Sequence, residues 1–170
     1  TTTISAEQAA LARQRIESAG LSESIEVLEV DYRDLTGTYD KLVSIEMIEA
    51  VGWKYFPTYF AKCSELLKPD GAMLLQSITV VDEAYEIEKT SRNFTNSIIF
   101  PGGCLPSRAE IERCLGRYTD MDEIWAEDIG ADYADTLAEW RRRFVENEAS
   151  IIEFGYDLKF RRMWQLYLTW

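Results

Sequence analysis

The segment from Leu42 to Gly52, LVSIEMIEAVG, limits the possible folds of this chain more than any other stretch. Leu42, Val43 and Ile45 form a short apolar run with β-branched character, preceded by the turn-like Thr36-Gly37-Thr38-Tyr39-Asp40, and read as a strand buried on both faces. The run stops at carboxylates. In an open α/β sheet the residues just past a strand's carboxyl end lie where ligands bind, which makes Glu46 and Glu49 site candidates. The same acids also suit the first turn of a helix, where the dipole favours negative charge, and the local sequence leaves both readings open.

The flanking segments extend this pattern. Thr1 to Ile4 read as the tail of a strand, and Ser5 with Gln8 three residues on gives an N-cap for a helix from Ala6 to Ala19 that Gly20 ends. Ile25 to Val30 reads as a strand ending at Asp31-Tyr32-Arg33, again with an acid at its carboxyl end. An amphipathic helix follows over about Phe56 to Leu67, stopped by Lys68-Pro69-Asp70-Gly71, and Ala72 to Ile78 reads as the next strand. Strand, helix, strand, helix and strand in alternation predict right-handed crossovers and an α/β fold with a parallel sheet. Val80 to Phe100 is charged and helix-like. A rigid turn, Phe100-Pro101-Gly102-Gly103-Cys104-Leu105-Pro106, leads to a second N-cap at Ser107, with a helix to about Tyr118. Ile124 to Ile129 reads as a further strand, and Asp132 to Phe144 and Asp157 to Trp170 as helices rich in aromatics.

Composition narrows the chemistry. A length of 170 residues with 46% hydrophobic content supports one core rather than two domains. No apolar run approaches the ~20 residues of a membrane span, and Thr1 onward lacks a secretion signal, so the expectation is a cytoplasmic protein. A formal charge of −12 argues against a nucleic-acid partner. Cys63, Cys104 and Cys114 are odd in number and lack metal-ligand spacing, which reads as reduced thiols and no metal. There is no histidine. Any proton must therefore move through a carboxylate, a tyrosine, a lysine or a small bound base.

Five segments in order, SIEMIEAVG, LLKPDGAMLLQSIT, IFPGGCLPS, DIGADYADTLAEWRRRF and FRRMWQLYL, resemble the cyclopropane-fatty-acyl-phospholipid synthases and mycolic acid cyclopropane synthases. The likeness runs from Thr3 to about Leu168. It implies a Rossmann-like S-adenosylmethionine-dependent methyltransferase fold. One partial domain, residues 1–170, would hold a partial parallel sheet with helices on both faces, a substrate-side helical insertion at about 80–100 and C-terminal helices at about 132–170. The family's glycine-rich cofactor turn and an upstream cysteine have no counterpart here, since no G-x-G occurs between Thr1 and Gly71. The expectation is an interior portion of a methyltransferase, truncated at both ends.

Carried over residue by residue, the resemblance places Thr3, Ile4, Gln8, Asp31, Tyr32, Ile45 and Glu46 around S-adenosylmethionine, with Asp31 and Tyr32 beside the adenine. It places Glu49, the backbone amide of Ile78 and the hydroxyl of Tyr133 around a bicarbonate ion that serves as the active-site base. Gln76 stands where many members carry histidine, and its amide can donate a hydrogen bond but cannot shuttle a proton. Read structurally, Gln76 is a strand residue facing a helix. The implied substrate is the cis double bond of a phospholipid acyl chain. Alternatives are a methyl-branched product, a small amine substrate, or an inactive fragment. Arg141-Arg142-Arg143 and Arg161-Arg162, near Trp140, Phe144, Trp164 and Trp170, read either as a peripheral contact with the inner membrane face or as a solvated helix face balanced by Glu139 and Glu146. A homodimer is among the assemblies that the resemblance allows.

Overall fold

The computed structural model describes residues 1–169. Its centre is a parallel pair of strands, β1 (Tyr39–Ile45) and β2 (Leu67–Gln76), in register from Lys41↔Ala72 to Ile45↔Gln76. A parallel pair needs a crossover, which the short α2 (Ile48–Val51) and the longer α3 (Phe56–Glu65) supply. The turn read at Lys68 to Gly71 is a bulge inside β2, where the register shifts after Tyr39↔Leu67. Only glycine fits at its end, because a Cβ on Gly71 would lie 2.9 Å from the Lys68 carbonyl oxygen. Lys68 pins the bulge by donating to Asp40 at 2.8 Å.

One face of the pair carries the core. The pleat directs Leu42, Ser44, Met73 and Leu75 towards α3, whose Phe56, Tyr59, Phe60 and Cys63 are buried. Ile111 and Cys114 of α5 (Arg108–Tyr118) and Tyr85 of α4 (Asp82–Glu88) join the same cluster. Burying each such side chain contributes roughly 1.5–3 kcal/mol. Tyr59 also donates its hydroxyl to Ser44 Oγ at 2.6 Å, which satisfies both polar groups in the core. The other face is open. Val43 is 63% exposed, Ile45 58% and Leu74 51%, which corrects the expectation that the Leu42 strand is buried on both sides. The apolar run shows what could be buried, but α3 and α5 cover a single face.

The remaining elements follow their caps. Ser5 Oγ accepts from the Gln8 amide at 3.3 Å and starts α1 (Ala6–Ser18), and Ser107 Oγ accepts from the Glu110 amide at 3.2 Å and starts α5. Ile25 to Val30 forms no full strand: it makes one parallel bridge, Thr2↔Leu28, with three main-chain bonds, from Thr1 to Glu26, from Leu28 to Thr1 and from Thr3 to Leu28. So short a pairing does not propagate a strand, whatever the β-propensity of the residues. Ile124 to Ile129 also fails as a strand, because among the described residues it has no ladder partner and Ile124 is 92% exposed. The insertion is helical as expected, with α4 followed by a π-helical turn, Thr95–Ile99, a form often found at functional sites. The C-terminal helices are α6 (Gly130–Glu146), α7 (Glu148–Glu153) and α8 (Leu158–Tyr167). Trp170 lies outside the described residues. Among those described, no helix is long and apolar enough to cross a membrane.

Two measurements check this core. Tyr59→Phe leaves the Ser44 hydroxyl without its partner and lowers unfolding free energy by about 1–2 kcal/mol in urea titration, with the denaturant slope unchanged. Burial lifts the thiols of Cys63 and Cys114 to about 11. Both therefore stay unmodified by iodoacetamide at pH 8 and react once the chain is unfolded.

Candidate active site at the strand ends

Parallel pairing brings the carboxyl ends of β1 and β2 to the same edge, and the acids gather there. Glu46 follows β1 with φ at 50°, an unusual backbone conformation for a residue with a side chain and a mark of local strain. Its amide bonds to the Gln76 carbonyl at 2.9 Å, and Gln76 Nε2 donates back to Glu46 Oε1 at 3.2 Å. Gln76 is thus committed to Glu46, a role that neither sequence reading anticipated. Glu49 sits in the first turn of α2, where the dipole reading puts it.

Glu49 Oε1 accepts the Ile78 amide at 2.6 Å, joining two groups 29 positions apart. Its other oxygen, Oε2, is buried and has no hydrogen-bond partner. A buried carboxylate oxygen left this way costs free energy, so it marks a point where a ligand donor belongs. The Glu49 backbone is held from behind by the Cys104 amide, 2.8 Å from its carbonyl oxygen. Cys104 is buried in the turn as a small apolar side chain.

Tyr133 is not recorded in contact with Glu49 or Ile78. Its hydroxyl lies 3.4 Å from the hydroxyl of Tyr167, its ring meets Trp140 edge-on at 6.2 Å, and Tyr167 in turn packs edge-on against Phe100 at 5.5 Å. Burial is the main cause that pushes the Tyr167 phenol above its usual range, with smaller contributions from Tyr133 and the Glu46 charge. Tyr167 therefore joins Tyr133 to the Glu46 side of the site. Sequence reasoning missed it, because its only signal was a place among the aromatics of FRRMWQLYL.

The residues expected around a nucleotide-like ligand form a second group. Thr3 donates its hydroxyl to Gln8 Oε1 at 2.7 Å, and Thr2 ties this corner to the Val30 carbonyl at 2.7 Å, next to Asp31. Ile4 is exposed. Asp31 caps a single 3₁₀ turn and is gripped by Arg33, with Nε on one oxygen at 2.9 Å and an NH₂ group on the other at 2.7 Å. This grip holds the Asp31 carboxyl at about 2, well below its ordinary 3.8. Tyr32 is half-buried and meets Tyr59 edge-on at 5.8 Å. Since Tyr59 bonds to Ser44, next to Ile45, the two groups of candidates are linked through the core.

The arginines of α6 are exposed and ion-paired, whereas Arg161 is largely buried. Arg142 is bidentate on Glu139 and also reaches Glu146, and Arg143 joins Glu139 at 2.7 Å. Arg142 first and then Arg143 hold the Glu139 carboxyl at about 2. Arg161 pairs with Glu148.

A parallel strand pair joined by a helical crossover, with acids just past the end of β1, defines an α/β domain of the Rossmann-like class. Residues 1–170 match the family model described as mycolic acid cyclopropane synthetase, and the chain belongs to that family. It is 40% identical over 168 residues to the tuberculostearic acid methyltransferase UfaA1 of Mycobacterium tuberculosis, covering 99% of this chain and 39% of that protein. It is also 40% identical over 170 residues to the cyclopropane-fatty-acyl-phospholipid synthase of Escherichia coli, covering 98% and 41%. Among solved structures it resembles the mycolic acid cyclopropane synthase CmaA1 complexed with SAH and CTAB, at 26% identity and a TM-score of 0.87, covering 99% of this chain and 61% of that one. The chain therefore spans about two fifths of the length of these curated relatives.

The Asp31–Arg33 pair is directly testable. The charged form of Asp31 is favoured in the fold, so its stabilisation is complete above the ordinary carboxyl range and is lost as pH falls towards 2. In a carbon-detected NMR titration, Arg33→Gln moves the Asp31 midpoint up towards 3.8, while the wild type titrates at about 2.

Proposed function

We propose that this chain carries part of the active site of a lipid-modifying methyltransferase. The reaction moves a methyl group from S-adenosylmethionine to the cis double bond of an unsaturated phospholipid acyl chain, with ring closure to a cyclopropane. The single observation that carries the reading is Glu49 Oε2, buried and unpartnered beside the Ile78 amide in a chain of this family. Attack of the double bond on the donor's methyl group forms one carbon–carbon bond and breaks the methyl–sulfur bond, whose electron pair leaves with the thioether, so that a cation remains on the neighbouring carbon. Loss of a proton from the new methyl group then closes the ring.

When bound, S-adenosylmethionine supplies the methyl group and bicarbonate supplies the base. The residues present suit both. Asp31 keeps free lone pairs beside Arg33 with which to accept an adenine amino group, Tyr32 offers a ring face, and Thr3, Ile4, Gln8, Ile45 and Glu46 complete the cofactor side. Glu49 Oε2 accepts the O–H of a small anion and Tyr133 offers a hydroxyl, while the Ile78 amide, already donated to Glu49 Oε1, fixes the carboxylate that receives the ion. Gln76 acts by holding Glu46 in its strained conformation. Exposed Trp140, Phe154 and Leu158 on the C-terminal helices support a peripheral position at the inner membrane face.

A second reading changes only the carbon that loses the proton, which leaves a methyl- or methylene-branched acyl chain that keeps one double bond. It is favoured by 40% identity to a relative named for tuberculostearic acid, equal to that of the cyclopropane-forming relative. The test is to express the gene encoding this chain in cells with cis-unsaturated membrane lipids and to analyse the lipids by mass spectrometry. Acyl chains one methylene heavier are expected, resistance to hydrogenation marks the ring and its absence the branch, and unchanged lipids overturn both readings. Glu49→Gln removes the charged acceptor that holds the base and lowers the product rate roughly 10–100-fold, the range for losing one hydrogen bond to a charged group.

A further inference from the structure

A cleft among the described residues lies away from the strand ends. It has a volume of about 490 Å³ and lies behind the Glu49 turn, between the Trp53–Tyr55 segment and the loop from Glu88 to Gly103. None of the residues placed around S-adenosylmethionine lines it. Its size falls within the roughly 300–1,000 Å³ range typical of small-ligand sites. Three cations face it, Lys54, Lys89 and Arg92, against a single acid, Glu88. That local balance is the reverse of the chain's formal charge of −12.

The cations are placed by the fold. Lys54 and Lys89 both lie over the Trp53 ring, at 5.5 and 5.3 Å from its centroid, and Lys89 is also 5.2 Å from that of Tyr85. Glu86 takes one of the Lys89 donors at 2.6 Å. Among the described residues, Lys54 and Arg92 meet no carboxylate. Two ammonium groups on one indole repel each other, and an anion between them relieves that repulsion. The loop is rigidly built: Asn93 and Asn96 exchange backbone-to-side-chain bonds at 2.9 Å in both directions, and Gly102 donates to the Asn96 carbonyl at 3.0 Å. The Cys104 amide fastens the floor of the cleft to the Glu49 carbonyl.

We infer that this cleft seats the phosphate group of an ester, with Lys54, Lys89 and Arg92 as its donors and Trp53 as an apolar wall for the attached carbons. The identity of that ester as the headgroup of the lipid substrate rests on the reading in the previous section. The phosphate chemistry itself does not. A headgroup held here is one backbone turn from Glu49, so binding of the polar end and placement of the reacting chain would be mechanically joined through Gly103 and Cys104.

The experiment titrates the 170-residue chain calorimetrically with glycerol 3-phosphate and with inorganic phosphate, and measures its cosedimentation with phosphatidylglycerol vesicles. Glycerol 3-phosphate is expected to bind, the double variant Lys54→Gln/Arg92→Gln is expected to bind it at least tenfold more weakly, and Arg141→Gln on α6 is expected to leave binding unchanged. Both altered positions are exposed, and circular dichroism verifies that the fold is kept. Cosedimentation that glycerol 3-phosphate competes away assigns the phosphate to a lipid headgroup. Equal binding of inorganic phosphate without cosedimentation supports the site and assigns it to free phosphate. Absence of binding to all three probes, or equal binding by the double variant, overturns the inference. Neither a methyl donor nor a double bond enters these measurements, so they succeed or fail independently of the alkylation assay.

Discussion

Parallel alignment of β1 with β2 is the constraint on which the rest of this structure depends. Because Ile45 is opposite Gln76, both strands run out at the same edge, and the chain must turn there twice. The first turn sets Glu46 and Glu49 in place, and the second presents the Ile78 amide. An antiparallel pair with the same residues would have put Glu46 and Gln76 at opposite edges, and the Glu49 to Ile78 bond could not form. The strain at Glu46 is tolerated because the Gln76 carbonyl and side-chain amide over-determine its position.

The second organising contact is Tyr59. Its hydroxyl fixes Ser44 in the middle of β1, while its ring meets Tyr32 and Phe60 edge-on. One side chain thereby ties the corner containing Asp31 to the strand leading into Glu46. The geometry of two groups of candidate site residues, distant in sequence, thus rests on a single buried aromatic with a satisfied polar tip.

The legible parts of the sequence were those whose cause is local. Ser5 and Ser107 announced α1 and α5 through capping, the spacing of Phe56, Tyr59, Phe60 and Cys63 announced α3, and the run from Leu42 announced β1. Ile25 to Val30 and Ile124 to Ile129 have strand-like residues but lack partners along their length, and no local signal reports a partner. The exposure of Val43 and Leu74 was hidden for the same reason, since burial depends on what packs against a face. At the site, the acids at the ends of strands could be read from position alone. The family likeness put Glu49 and the Ile78 amide around one ion, but their direct hydrogen bond, like the approach of Tyr167 to Tyr133, 34 positions away, followed from neither position nor likeness.

The open face of β1 and β2 sets the colloidal character of this polypeptide. Val43, Ile45 and Leu74 form a cohesive patch, and the −12 formal charge keeps neighbouring molecules from bringing such patches together. That repulsion reaches only about 10 Å at 0.1 M salt and about 3 Å at 1 M. Ionic strength therefore acts as the throttle on self-adhesion: dilute buffer keeps the molecules dispersed, and brine lets the bare β-surface stick.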